Sequence, residues 1–380
     1  MDKTLRPTPM LSHLLAVLSA LLLLSSVVAA ATDAPVPASP DTPPPATPAT
    51  PPAESPPPAA KPVVPVVEMT AEEAHQQGAS THALILIGHP GDSSFAAEFA
   101  TAARQVHSFL RERLAVPSDH IHLLASDLPA PSAPESPQPD TDANDVLRPH
   151  RPATREAIRA WADGEKNRIP DDATVWIVVM GHSHIDGRGA TFNLPGPDLP
   201  MTELALWLGE LPGARQVVWL TQPLSGYAVE PLKRPGRIVI AATEADVELN
   251  GTMFHQALGA SLAAAVSDID HDADRRLSLL DLYVEINREL ARRYAANMSL
   301  ATEHAQLDDN ADGVGTELQV DFLTPEFGGR RESEPPAPRI EGRDGHLAAK
   351  WQIPLRRPEP LPKPVPAAES EKNEPPPETE

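Results

Sequence analysis

The chain of 380 residues contains no cysteine. That absence excludes disulfides, thiolate metal sites, iron–sulfur clusters, c-type haem attachment and any cysteine nucleophile. Aromatic residues are few, at 4% of the chain, and 31 lysines and arginines stand against 53 aspartates and glutamates. The resulting formal net charge is −22. A nucleic-acid backbone requires a basic binding surface, so the sequence predicts no nucleic-acid partner.

Proline, by contrast, is abundant, and its 46 residues make up about 12% of the chain against an average near 5%. Such an excess indicates segments that do not fold into a core. Three segments hold most of it: residues 32–67, predicted as an extended disordered linker; 128–152, predicted as a disordered surface insertion; and 327–380, predicted as a disordered acidic tail. Residues 68–326 without the insertion leave roughly 230 residues, enough for one sizeable domain.

The N-terminus has the organisation of an export signal. Lys3 and Arg6 precede an uncharged apolar run, and Val28–Ala31 supplies the small residues of a cleavage site. We therefore predict a signal peptide over residues 1–31 and a periplasmic or extracellular location. The alternative is an uncleaved anchor, because Leu11–Ala31 is just long enough to span a bilayer. Membrane association is expected only through this segment.

Five apolar runs have the length and continuity of buried parallel strands: Ala83–Ile87, His120–Ala125, Val175–Met180, Gln216–Leu220 and Arg237–Ala241. Segments with helical periodicity alternate with these runs, the first of them after Asp92 as a helix cap. This alternation predicts an α/β domain with a mostly parallel sheet and helices on both faces. Because ligands of such sheets bind at the carboxyl ends of strands, we expect function in loops 88–92, 181–190 and 221–232.

Two of these loops carry recognisable motifs. Gly181–Gly187 reads GHSHIDG, and Thr221–Gly226 reads TQPLSG. In order and placement they resemble the legumain and caspase clan of cysteine peptidases, in which strand three ends in Gly-His-Gly and strand four in Asp-x-Cys-x-Ser-Gly. The resemblance covers about residues 81–325 and implies a caspase-like three-layer sandwich with His182 at the position of the general base. His182 precedes Pro223 by 41 residues, near the roughly 50 expected for caspases.

The sequence departs from the family pattern at the positions that carry out the family's reaction. Pro223 stands at the nucleophile position, and the chain has no thiolate to replace it. Proline also lacks the N–H that the clan uses in its oxyanion hole. The second oxyanion donor falls at Ser183, where the clan has glycine, and Thr221 replaces the aspartate of the cysteine motif. We therefore expect a catalytically inactive pseudopeptidase that acts as a binding or scaffolding module for a peptide or protein ligand.

Two alternatives would retain hydrolysis. Ser225 could replace the cysteine if the loop shifted by two residues toward His182, although a hydroxyl here can also simply bond to the turn backbone. The other alternative is a zinc site formed by His89, His182 and His184. These histidines lie in strand-end loops, which converge at one edge of a parallel sheet, and three histidines can bind zinc. Either would make the protein an active hydrolase.

One acidic segment follows the register of an EF-hand calcium loop. Carboxylates at Asp270, Asp272, Asp274 and Asp281 occupy positions 1, 3, 5 and 12. Arg275 stands at position 6, where the turn favours glycine. The alternative is an acidic first turn of the helix that follows, where carboxylates favour the helix dipole.

A second segment places Asp308, Asn310 and Asp312 at positions 1, 3 and 5, with Gly313 at position 6. Gln319 stands at position 12, where calcium loops have a carboxylate. The two acidic segments therefore suggest calcium as a cofactor, and a calcium-dependent structural module of the cell envelope is a further alternative function.

Overall fold

The structure is a computed structural model that describes residues 69–126, 128, 151–187, 189–245, 248, 250–264, 269–270, 276–317, 338–354 and 357. The predicted signal peptide, the linker, nearly all of the insertion and much of the predicted tail lie outside these residues. Across the described ranges, no helix is long and apolar enough to cross a membrane.

The described residues form twelve strands. In chain order they are β1 (Thr81–Ile87), β2 (Ile121–Ala125), β3 (Thr174–Met180), β4 (Ser183–Asp186), β5 (Gly189–Phe192), β6 (Leu199–Pro200), β7 (Arg215–Leu220), β8 (Arg237–Ala241), β9 (Leu277–Ser278), β10 (Gln306–Asp308), β11 (Thr316–Glu317) and β12 (Gln352–Ile353). Seven of them form the central sheet in the order β2-β1-β3-β7-β8-β10-β11. The first five of that order are parallel, β10 runs antiparallel to β8, and β11 runs antiparallel to β10, so β10 alone is reversed among these seven strands. The predicted α/β fold with a mostly parallel sheet is confirmed, and its parallel strands are the five predicted ones.

Eight α-helices accompany the strands in the described ranges. They are α1 (Ala71–Ala79), α2 (Ser93–Ser108), α3 (Arg155–Glu165), α4 (Met201–Gly209), α5 (Val229–Leu232), α6 (Phe254–Ala263), α7 (Leu279–Ala296) and α8 (His346–Lys350). The predicted cap of α2 is present, since the Asp92 carboxylate accepts the N–H groups of Ser94 and Phe95. The apolar face expected to continue beyond α2 changes to a π-helical turn at Phe109–Arg113.

Helices cover both faces of the central sheet. Alternate residues of β1 point to opposite sides, so Ile85 belongs to one buried cluster and Leu84 to the other. Phe99 of α2 and Ile286 of α7 join the first cluster, while Ile158 of α3 joins the second. Burying one such aliphatic or aromatic side chain completely stabilises the folded state by about 1.5–3 kcal/mol. The core is therefore two apolar layers, one on each side of the sheet.

A small antiparallel sheet of β4, β5 and β6 follows directly on the end of β3. The chain turns into it at Gly181, which has φ +151° and whose Cβ, if present, would lie 2.9 Å from a ring carbon of Phe192. Glycine is therefore required at this turn. We did not predict this sheet, because Ser183–Asp186 is mostly polar and lacks the apolar alternation that indicates a strand.

Part of the predicted tail at 327–380 is folded. Residues 338–354 include α8 and β12, and β12 pairs with β9 in antiparallel fashion. The Asp309 carboxylate accepts the N–H groups of Gly345 and Ala348, and Trp351 is only 4% exposed. The composition around this stretch is proline-rich and acidic, which concealed one short apolar segment that completes the core.

Candidate functional site

The predicted site lies at the carboxyl ends of β3 and β7, which are parallel neighbours. Their register pairs Val179 with Leu220. His182 and Pro223 each come three residues after this last pair, in the loops that leave the two strands. The Thr221 N–H and hydroxyl both donate to the carbonyl of Val179, each at 2.9 Å, which holds the two strand ends together. The topology therefore brings the two positions singled out by the sequence to the same edge of the sheet.

His182 lies in an aromatic pocket at this edge. Its Nε2 is 3.0 Å from the carbonyl oxygen of Pro90, in the loop after β1. The ring of Phe95 meets it edge-on at 4.5 Å between centroids, and that of Phe99 lies at 5.5 Å. Burial lowers the pKa of His182, despite the bond to Pro90 and the nearby charge of Asp92. A neutral ring that donates from Nε2 to a carbonyl leaves Nδ1 as its basic nitrogen.

Ser183, at the predicted oxyanion position, is the first residue of β4. It pairs with Phe192 in β5, and its Oγ is buried without a hydrogen-bond partner in the described residues. The preceding carbonyl, of His182, accepts the N–H of Asn193. Ser183 therefore belongs to a strand of the β4–β5 hairpin, and its side chain is buried.

Pro223 is buried in the turn that leaves β7. The next residue, Leu224, is fully buried and adopts a left-handed conformation with φ +59°. Such a conformation is uncommon for a side chain larger than that of asparagine. Gly226 closes the turn against the end of β8, because a Cβ at this position would lie 2.4 Å from the backbone nitrogen of Ala245. The loop is therefore tightly packed around the position where a cysteine peptidase carries its nucleophile.

Ser225 is fully buried and bound to Thr243. Its backbone N–H donates to Thr243 Oγ1 at 2.9 Å, and its Oγ accepts the N–H of Thr243 at 3.1 Å. The two hydroxyl oxygens are also 3.2 Å apart. These contacts are those of a hydroxyl that joins a turn to a neighbouring strand end, the structural role that we weighed against a nucleophile.

The structure adds residues that the sequence did not single out. His255 of α6 is 1% exposed, stacks edge-on against Phe99 at 4.8 Å, and has its Nε2 3.4 Å from the carboxylate of Glu98. Burial and the nearby His182 and Arg293 lower the pKa of His255 to about 3. The imidazole of His255 therefore lies near that of His182 and is uncharged at neutral pH. No spacing in the sequence links His255 to either loop.

The other two histidines of the proposed zinc site both contact Asn193. His89 is exposed, and its backbone N–H donates to the carbonyl of Asn193. His184 is also exposed, with Nδ1 2.7 Å from the side-chain oxygen of Asn193. In the part of the chain that the structure describes, no three histidine, aspartate or glutamate side chains are placed to hold a metal ion.

The first acidic segment is described only in part. Asp272, Asp274 and Arg275 lie outside the described residues. Asp281 is 6% exposed, and its carboxylate accepts both the N–H and the hydroxyl of Ser278, which in turn accepts the Asp281 N–H. This reciprocal pair is a capping box at the start of α7. Asp281 therefore has the helix-terminal role that we weighed against calcium.

The second acidic segment folds into a turn held by its own side chains. The Asp308 carboxylate accepts the N–H groups of Ala311 and Gly313, each at 2.9 Å. Asn310 accepts from Asp312 by the same pattern. Burial is the main cause that raises the pKa of Asp308, to about 6. Gly313 has φ +83°, the conformation that position 6 of a calcium loop requires, while Gln319 lies outside the described residues.

A search against protein-family models found no match, and a search of the curated proteins found none either. The resemblance to cysteine peptidases is therefore an interpretation of the strand-end motifs.

Proposed function

We propose that the protein is an exported, legumain/caspase-like module that binds a peptide or protein ligand at the carboxyl edge of its sheet without hydrolysing it. The observation that carries this proposal is Pro223, which follows the end of β7 as His182 follows the end of its parallel neighbour β3, in a chain without cysteine. The clan's reaction needs a thiolate at that position and a backbone N–H behind it. Proline supplies neither, while the two strand ends that precede His182 and Pro223 lie side by side in the sheet.

The contacts of Ser225 support a non-catalytic role. A serine nucleophile needs a base within hydrogen-bond reach and a hydroxyl open to substrate. Ser225 is instead fully buried, and its Oγ accepts the Thr243 N–H. Moving it toward His182 would leave the Thr243 N–H buried without an acceptor, at a cost of about 1–3 kcal/mol.

The strand β4 offers a way to bind an extended peptide. It begins immediately after His182 and lies at one edge of the three-stranded sheet β4-β5-β6. Its side chains His184 and Ile185 are exposed, and Ile185 is 48% accessible although it is a large apolar residue. A peptide that adds to such an edge gains main-chain hydrogen bonds and places alternate side chains on its partner. We propose β4 as the docking strand.

The catalytic part of the proposal is tested by assaying the purified full chain against a peptide library and against a fluorophosphonate probe. We expect no cleavage and no labelled serine. Cleavage that disappears in His182→Ala, or labelling that disappears in Ser225→Ala, would overturn it. Chelator-sensitive cleavage would instead favour the metal alternative.

The binding part is tested by selecting peptides from a display library and mapping their contacts by amide hydrogen exchange. We expect protection of residues 183–186 in the complex. Ile185→Arg should weaken binding at least tenfold, whereas Leu206→Arg, at another exposed apolar side chain on α4 that is 59% accessible, should leave it unchanged. Selected peptides that protect a different segment would contradict the assignment to β4.

A calcium-dependent structural role is the second candidate, favoured by the conformation of Gly313 in the turn at Asp308. Calcium sites of extracellular modules bind in the range of about 10⁻⁴–10⁻³ M. Millimolar calcium should then raise the melting temperature of the full chain, and Asp312→Ala should abolish that rise. A melting temperature that does not respond to calcium would eliminate this candidate.

A further inference from the structure

Two adjoining cavities lie along one side of α2. The first, of about 380 Å³, has Glu98, Thr101 and Gln256 among its lining residues. The second, of about 360 Å³, lies next to it toward the C-terminal end of α2 and includes Arg104 and Glu112. Gln105 lines both, and residues of α6 form part of each wall. We refer to the two cavities together as the α2 groove.

The C-terminal part of the chain enters this groove. Arg357 is the last described residue, and it lines the second cavity with its Nη1 3.5 Å from the Glu112 carboxylate. Residues 358–380 continue from that point. We propose that the first part of this tail, Pro358–Pro366, docks into the α2 groove as an intramolecular ligand of the domain.

The composition of Pro358–Pro366 suits such a groove. Its sequence, PEPLPKPVP, has proline at every second position. Each proline fixes φ near the polyproline II value, so the segment loses little conformational entropy on docking. Leu361 and Val365 supply the apolar contacts. Polyproline segments dock into grooves that contain aromatic side chains, and Phe109 lines the second cavity.

The lengths agree with a docked tail. A polyproline II segment rises about 3.1 Å per residue, and an α-helix about 1.5 Å. The groove wall from Glu112 back to Glu98 therefore spans about 21 Å along the helix axis, which six or seven extended residues cover. Counted from Arg357, which lies beside Glu112, six extended residues place Lys363 beside Glu98 along the helix axis.

The charges also agree in order. Glu359 falls near the start of the groove, where Arg104 is exposed on α2 and Arg113 lines the same cavity. Lys363 falls near its far end, where the carboxylate of Glu98 lies, bonded so far to Gln256 at 2.8 Å. A second copy of the chain would meet a like net charge of −22, whereas the tether keeps the chain's own tail at a high effective concentration.

Cysteine cross-linking in the full chain tests the proposal, because the natural sequence contributes no thiol. Thr101 is exposed in the groove wall, and the same count of residues places Pro362 level with it. In the Thr101→Cys/Pro362→Cys variant, a disulfide should form at least tenfold faster than in Glu156→Cys/Pro362→Cys. Glu156 is an exposed residue of α3, which covers the other face of the sheet.

The charge match has its own control. Arg104→Glu added to the Thr101→Cys/Pro362→Cys variant should slow cross-linking several-fold, whereas Lys166→Glu, the same charge change at an exposed site beyond α3, should not. Equal cross-linking rates for the Thr101 and Glu156 variants would overturn the proposal. Cross-linked dimers whose yield rises with protein concentration would also overturn it, since the occupant would then be the tail of a second copy.

Discussion

Replacing Pro223 with cysteine tests whether the strand-end loops have the arrangement of a cysteine peptidase. The chain has no other cysteine, so Pro223→Cys contains a single thiol, and the ultraviolet absorbance of its thiolate reports its pKa directly. A free thiol has a pKa of about 8.5, and burial without a partner raises it. An imidazole that can take the proton lowers it. The direction of the shift therefore states whether position 223 faces His182.

The size of the shift follows from the surroundings of His182. Its half-buried ring has a lowered pKa, so forming an imidazolium there is costly and the ion pair is weakened. The basic Nδ1 is nevertheless available, because Nε2 donates to the Pro90 carbonyl. We expect a thiol pKa about one unit below 8.5, equivalent to about 1.4 kcal/mol of stabilisation of the charged form.

Two further variants make the result decisive. Ser225→Cys places a thiol two residues away against Thr243, fully buried and without the imidazole, and should titrate above about 8.5. Adding His182→Ala to Pro223→Cys should return the pKa to that range. If Pro223→Cys titrates at or above about 8.5 with or without His182, position 223 does not face the histidine and the resemblance to cysteine peptidases is superficial.

Three other predictions concern stability. Glu248 raises the pKa of His304 to about 9, so this pair stabilises the fold fully below about pH 6.5 and loses its contribution as the pH rises through 9. Because the His304 side chain is 38% exposed, the free energy of unfolding should fall by only about 1 kcal/mol between pH 7 and 9, or about 2–4 °C in melting temperature. This fall should be absent in His304→Gln. Asp309→Ala leaves two buried N–H donors without an acceptor and should cost about 2–4 kcal/mol, with faster amide exchange confined first to 338–354. Gly226→Ala should prevent folding, as judged by circular dichroism, because its new Cβ would lie 2.4 Å from a backbone nitrogen.

The sequence predicted those parts of the fold that depend on a local signal within one segment. A buried parallel strand needs a continuous apolar run, and Val175–Met180 is readable as such without knowledge of its neighbours. The hairpin of β4 and β5 has no such signal, since Ser183–Asp186 gains its order from pairing with β5 and from the turn at Gly181. Residues 338–354 were missed for the same reason, because their order depends on Asp309 and β9.

The candidate site was predictable to a similar extent. Strand ends of a parallel sheet meet at one edge, so the positions of His182 and Pro223 follow from the alternation of elements. The partners of the histidine do not, because His255 comes from α6 and Pro90 contributes only its carbonyl. What a side chain touches across the chain is a property of packing, which no local spacing encodes.

In this structure, packing constrains the motif residues that match the clan. Gly181 and Gly226 are required by packing, since neither position has room for a Cβ, and Ser225 joins its turn to Thr243. Each would be retained in a module that had no chemistry to perform. Pro223 is itself buried in that turn, and it lacks both the side-chain nucleophile and the N–H that the clan's reaction would require. Packing alone therefore accounts for the two glycines and for Ser225, so their match to the clan's motifs is no argument for turnover at this edge.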